Sequence, residues 1–190
     1  MNKKIVIGYQ GAEGSNTEKI AQDYNKVHCK GQAELLPLIN SENVMNALKS
    51  KEIEFGVFAH KNSISGIVRE TAEALKNNDY IILSEKEIPI HHSLYVRPEA
   101  SKKDIKTIYG HRQALNQCKI YLRNSYNTVS LKVVDDGARV AKELLADYYD
   151  FTNAVICPKG TGEKFGLKLI KENIEDKEDN KTNFIIIKLK

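Results

Sequence analysis

Short apolar runs recur along this chain, each emptying into a glycine-rich or small polar turn and then into a stripe of helical period. Ile5-Val6-Ile7-Gly8-Tyr9 runs into Gly11-Ala12-Glu13-Gly14-Ser15, and Phe55-Gly56-Val57-Phe58-Ala59 into His60-Lys61-Asn62-Ser63. Thr107-Ile108-Tyr109 runs into Gly110-His111-Arg112-Gln113. Strands alternating with helices restrict the chain to α/β layers with largely parallel sheets. Further strands are expected at 33–36, 80–83, 131–134, 154–157 and 167–170, with a closing one at Ile185-Ile186-Ile187. More than seven strands in 190 residues fit two small sheets better than one large one. The expected organisation is a first lobe of residues 1–83 with 167–190 returning to it, and a second lobe of 84–166.

Helix starts are marked by polar caps. Ser15 with Glu18 forms a capping box ahead of Ile20, Ala21 and Tyr24, and Ser41 precedes Val44, Met45 and Leu48. The stripe Ile64, Ile67, Val68, Thr71, Ala72 and Leu75 has helical spacing, as does Ala114, Leu115, Cys118, Tyr121 and Leu122. Asp136 caps a helix whose inward face is Val140, Ala141, Leu144, Leu145 and Tyr148. Ser101 and Asp104 open a short helix, and another spans Lys159–Phe165.

The net charge of +4 comes from 29 basic and 25 acidic residues with the signs interleaved. That pattern contains no basic track for nucleic acid. No stretch approaches the length of a membrane span, and the apolar run after Met1-Asn2-Lys3-Lys4 stops at Gly8, too soon for a signal peptide. Cys29, Cys118 and Cys157 are odd in number and far apart, which indicates neither a disulfide framework nor a zinc site and suits a cytoplasmic protein. His91-His92 lacks a third ligand at metal spacing, and neighbours on a strand face opposite ways, so no metal site is expected.

Polar groups at the strand ends are the candidates for chemistry. The Gly11–Ser15 turn, at a helix N-terminus, suits an anionic group, although it is neither a P-loop nor a dinucleotide fingerprint. Gln117 borders a buried stripe, as a pocket amide or as an ordinary half-buried polar residue. The run Asp179-Asn180-Lys181-Thr182-Asn183-Phe184 either shapes a turn before the last strand or presents a hydroxyl to a pocket.

Taken together these junctions resemble the catalytic domain of prephenate dehydratase over nearly the whole chain. Gly11-Ala12-Glu13-Gly14-Ser15 is similar to that family's Gly-Pro-Glu-Gly-Thr/Ser turn, and Lys61-Asn62-Ser63 to its Glu-Asn-Ser segment. Gly110-His111-Arg112-Gln113-Ala114-Leu115-Asn116-Gln117-Cys118 is similar to Ser-His-Pro-Gln-Ala-Leu-x-Gln-Cys, and the run ending Asn180-Lys181-Thr182-Asn183-Phe184 to Asn-x-Thr-Arg-Phe. The resemblance implies two α/β lobes of the type II periplasmic-binding-protein kind, with substrate in the cleft between them. It implies Thr182 as the catalytic hydroxyl, and no cofactor or metal. Substrate contacts are implied at Gly11, Glu13, Gly14, Ser15, Lys61, Asn62, Ser63, Gln117, Ala138, Asn183 and Phe184. The implied ligand is prephenate or a related cyclic dicarboxylate, handled by a cytoplasmic homodimer of L-phenylalanine biosynthesis. The family's ACT-type regulatory domain and a fused chorismate mutase are both expected to be missing. Four positions depart from the pattern: Lys61 for Glu, Gly110 for Ser, Asp136-Gly137-Ala138 for Ser-Thr-Ala, and Asn183 for Arg. These leave open a prephenate decarboxylase-like enzyme and a non-catalytic small-carboxylate-binding protein. Lys61, with Arg112, is the expected substitute for the missing arginine.

Overall fold

The computed structural model describes residues 4–146 and 149–190, so the Met1–Lys3 start and the inward-facing role expected of Tyr148 lie outside the described residues. The strands are β1 (Val6–Tyr9), β2 (Glu34–Pro37), β3 (Phe55–Asn62), β4 (Gly66–Ile67), β5 (Tyr80–Pro89), β6 (His92–Val96), β7 (Thr107–His111), β8 (Ser130–Val134), β9 (Asn153–Pro158), β10 (Lys168–Lys171) and β11 (Lys181–Leu189). The helices are α1 (Asn16–His28), α2 (Ser41–Lys49), α3 (Arg69–Leu75), α4 (Arg112–Gln117), α5 (Lys119–Ser125), α6 (Gly137–Glu143) and α7 (Thr161–Lys164). None of the described helices is long and apolar enough to cross a membrane.

The chain forms two compact units, Met1–Pro89 with Lys181–Lys190, and Ile90–Asn180. Each is an α/β layer, and the class is the two-lobed type II periplasmic-binding-protein kind. The boundaries fall later than the sequence suggests. The expected strand at 80–83 continues as β5 to Pro89, an edge position where the missing N–H of proline costs no ladder bond. The expected return at 167 is delayed because β10 pairs antiparallel with β6 and so belongs to the second unit.

In the first unit the strand order is β2-β1-β3-β11-β5, with β4 hairpinned onto β3. Only β1 pairs in parallel, with β2 and β3; β11 is antiparallel to both neighbours. The sheet is therefore mixed rather than largely parallel, because the strand returning from the second unit inserts against the direction of β3. Ile185, Ile186 and Ile187 are buried at the centre, as a continuous apolar run covered on both faces should be. Val44, Leu48, Phe58, Ile185 and Ile187 share one core cluster.

Two local expectations are corrected here. The helix-spaced stripe from Ile64 does not begin a helix. The Asn62 side chain accepts from the N–H groups of Ile64 and Ser65 (3.0 Å each), and Gly66 takes φ 77°, so the chain turns back as β4 and the helix waits until Arg69. Ile64 and Ile67 are accordingly exposed. The cap of α2 is Asn40, whose Oδ1 accepts from Asn43 N–H at 2.8 Å; Ser41 is buried and bonds Thr71 at 3.0 Å instead.

In the second unit the order is β10-β6-β9-β7-β8, parallel at β7 with β8 and β9 and antiparallel elsewhere. One face carries Leu94, Ile108, Leu115, Cys118 and Leu122; the other carries Tyr95, Val140, Leu144, Val155 and Cys157. The α6 cap is as expected: Asp136 accepts from Ala138 N–H (2.6 Å) and Arg139 N–H (3.2 Å), a contact class contributing about 1 kcal/mol. A Cβ on Gly137 would come within 2.3 Å of the Ile156 carbonyl oxygen, so the helix approaches β9 as only glycine permits.

Candidate active site

The candidate residues gather into one polar cluster in each unit. In the first, Thr182 is not in a loop: it is the second residue of β11, paired with Asn62 on one side and Ile88 on the other. The strand begins earlier than its apolar run because Ser63 fastens its start, donating its N–H to the Lys181 carbonyl (2.8 Å) and accepting Lys181 N–H at Oγ (2.9 Å). Asn62 and Thr182 are buried, at 1% and 6% exposure.

The Asn62 amide is fully engaged with protein. Its Nδ2 donates to the Lys181 carbonyl and to Thr182 Oγ1, both at 2.9 Å, and its Oδ1 also accepts from Ser65 Oγ at 3.0 Å. This amide therefore ties the end of β3 to Lys181 and Thr182 on β11. The consequence for chemistry is a polarity: Oγ1 of Thr182 accepts from Asn62, so the hydroxyl proton remains for donation.

Lys61 and Asn183 form the next register pair. Successive pairs alternate faces, so these two lie on the side opposite Asn62 and Thr182. Asn183 donates to Glu85 at 3.4 Å, and Lys61 is exposed. Phe184 is buried in the sheet.

The Gly11–Ser15 turn uses Gly11 and Gly14 at φ 95° and 89°. Its amides are largely spent internally. Gly14 N–H donates to the Glu18 carboxylate at 2.6 Å and Ser15 N–H to the Ala12 carbonyl, while Ser15 Oγ accepts from Glu18 N–H. Glu13 is half-buried. Ala138, in the second unit, has its N–H taken by Asp136.

The second cluster centres on Gln117, the last residue of α4. Its Oε1 accepts from Asn180 Nδ2 at 3.0 Å and lies 2.8 Å from His92 Nε2, and its Nε2 donates to Asn180 Oδ1 at 3.4 Å. Asn180 is fully buried, and Gln117 and His92 are 8% exposed. Burial holds the His92 pKa below the usual histidine value. The two histidines part company: His91, just ahead of β6, brings Nδ1 to 2.7 Å from Glu175 Oε1, whereas the His92 ring turns to Gln117. Glu175 also accepts from His92 N–H at 2.9 Å; burial raises its pKa, but these hydrogen bonds more than offset that and hold it low. No group of three or more metal-ligating side chains occurs among the described residues.

Asn180 and His92 were absent from the residues expected at the site. Asn180 sits in the Asn-x-Thr string, and that spacing was the available signal. His92 had none beyond its adjacency to His91.

Each of the two α/β units thus carries one buried polar cluster on a mixed sheet, an arrangement of the two-lobed class. Within that class the chain belongs to the prephenate dehydratase family, whose model matches residues 7–190. It is 29% identical over 187 residues to a bifunctional chorismate mutase/prephenate dehydratase of Pseudomonas aeruginosa, covering 98% of this chain and 49% of that protein. It is 31% identical to a prephenate dehydratase of Methanocaldococcus jannaschii, covering 98% of this chain and 65% of the relative. In structure it resembles a prephenate dehydratase from Arthrobacter aurescens solved in complex with L-Phe, with a TM-score of 0.82 and 26% identity, covering 98% of this chain and 61% of that one. The chain thus spans about half to two thirds of the length of these relatives.

Proposed function

We propose that this chain catalyses the decarboxylating dehydration of prephenate to phenylpyruvate, a carbon–oxygen lyase step of L-phenylalanine biosynthesis. The observation that carries the reading is the hydrogen bond from Asn62 to Thr182 Oγ1, which leaves the threonine proton as a donor inside a buried cluster. In the reaction the bond from ring carbon to carboxylate breaks, releasing carbon dioxide. Its electron pair completes the aromatic ring as the carbon–oxygen bond across the ring breaks. The departing hydroxide takes a hydrogen bond from Thr182 and a proton from solvent to become water. Aromatisation supplies the driving force and no oxidant enters the balance, so orientation and one well-placed donor suffice.

Gln117 is assigned to orienting substrate oxygens, with Asn62 acting through Thr182. Gly11, Glu13, Gly14, Ser15, Ser63 and Phe184 are assigned to walls and supports in the first unit and Ala138 to support in the second, while Lys61 and Asn183 are assigned to holding the strand pair from the face opposite Thr182. The three buried cysteines, all free thiols, suit a cytoplasmic location. A homodimer goes with the family membership and is checked by light scattering. The direct test is incubation of purified protein with prephenate while following phenylpyruvate absorbance, with Thr182→Ala as the control. Turnover in the wild type and not in the variant supports the reading, and saturable binding without product overturns it.

A further inference from the structure

We propose that Asp176 is a positioning residue: it holds open a break in the helix that carries Gln117, and so fixes where the Gln117 side chain is presented. The inference rests on the reading above, in which Gln117 orients substrate oxygens.

The stripe Ala114, Leu115, Cys118, Tyr121 and Leu122 has the spacing of one continuous helix, yet the chain divides at Cys118 (φ −109°, ψ 17°) into α4 and α5. In an unbroken helix the Gln117 carbonyl would accept from the N–H of Tyr121, one helical rung further on. Asp176 intercepts both halves of that rung. Its N–H donates to the Gln117 carbonyl at 2.7 Å, and its Oδ1 accepts from Tyr121 N–H at 3.2 Å. The same carboxylate accepts from Ile120 N–H, at 3.1 Å on Oδ1 and 2.9 Å on Oδ2. Asp176 thus does for α5, from far along the chain, what an N-cap side chain does locally; Cys118, at the cap position, makes no side-chain cap bond. A group inserted into the ladder in this way is a sufficient cause for a helix to bend.

Asp176 is held from the sheet. Ile174 is buried and donates its N–H to the His92 carbonyl at 3.0 Å. Glu175 accepts from His92 N–H at 2.9 Å and lies 2.7 Å from His91 Nδ1. His92 belongs to β6, which runs between β10 and β9, so this main-chain anchor is separate from the two helices that Asp176 divides. Without the carboxylate, the rung between Gln117 and Tyr121 is free to close. Gln117 then changes from the last residue of α4 to the interior of a longer helix, and its side chain swings with the backbone.

The test joins steady-state kinetics with prephenate to NMR of the full chain. Asp176→Ala keeps the N–H and removes the carboxylate; it should raise KM about tenfold while kcat changes less than about threefold. Asp176→Asn retains an oxygen able to cap α5 and should stay within about threefold of wild type. Asp104→Ala, which removes the acceptor of Ser101 N–H elsewhere in the same unit, controls for the loss of a cap as such. Asp176→Ala should also displace the Gln117 side-chain amide resonance, which Asp104→Ala leaves in place, and should add little to KM in a Gln117→Leu background. A KM no higher than in Asp104→Ala, an unmoved Gln117 resonance, or losses that multiply with Gln117→Leu overturn the inference. Should Asp176→Ala not fold, Asp176→Glu takes its place, since the longer side chain displaces the carboxylate, and an unchanged KM and resonance would again overturn it. Absence of prephenate turnover in the wild type would strike the functional reading alone, because the Gln117 resonance is read without substrate and then decides.

Discussion

The two polar clusters use the same material, buried side-chain amides, to opposite ends. In the first unit the Asn62 amide is saturated by protein partners and leaves a single hydroxyl with a proton to give. In the second unit the Gln117 and Asn180 amides face one another, with His92 Nε2 2.8 Å from the Gln117 oxygen. The first arrangement suits a bond-breaking step, the second recognition. The difference teaches that amides alike in sequence can be tied to unlike partners, Asn62 to the strand that carries Thr182 and Gln117 to Asn180 and His92.

The sharpest way to break this contrast is Thr182→Ala, expected to lower kcat by about 10²–10³-fold, the usual cost of removing one donor from a developing anion. Its melting temperature should fall little. Asn62→Ala is expected to lower kcat by a smaller factor but to destabilise by roughly 1–3 kcal/mol, because it orphans the Ile64 and Ser65 amides. Denaturant unfolding with kinetics on the same samples separates the two effects.

A pH titration of stability sharpens the other side. The folded-state pKa of His92 lies below its usual 6.5, so between the two values the unfolded chain binds the extra proton. Stability should therefore be unaffected by this group above about pH 6.5, then decline as pH falls toward the depressed folded value. His92→Gln should flatten that decline in thermal melts. The smallest effect is expected from Lys61→Ala. An exposed lysine on the opposite face from Thr182 should alter dicarboxylate binding by less than about fivefold, the scale of a surface charge. A loss beyond tenfold by calorimetry would restore Lys61 as the substitute for the missing arginine.

Much of the fold was legible because its signals are local. Ser15 and Asp136 cap the helices the sequence assigns to them, and the Ile185–Ile187 run is a buried central strand. The failures came where a long-range partner overrode a local pattern. The helical spacing from Ile64 lost to the turn that Asn62 imposes, and Thr182 reads as loop until β3 and β5 pair with it from both sides. Likewise the sheets are mixed because β11 in one and β6 in the other run against both of their neighbours, which no periodicity can announce. The site was legible as a set of residue types at strand ends. The division of labour among them was not, since Asn62 and Gln117 look alike in sequence and differ only in their partners.

The central claim is that Asn62 acts through Thr182, and a double-mutant cycle in kcat for prephenate tests it most directly. The account predicts that Asn62→Ala combined with Thr182→Ala is no slower than Thr182→Ala alone. Independent, multiplying losses would contradict it, placing Asn62 on the substrate rather than behind the hydroxyl.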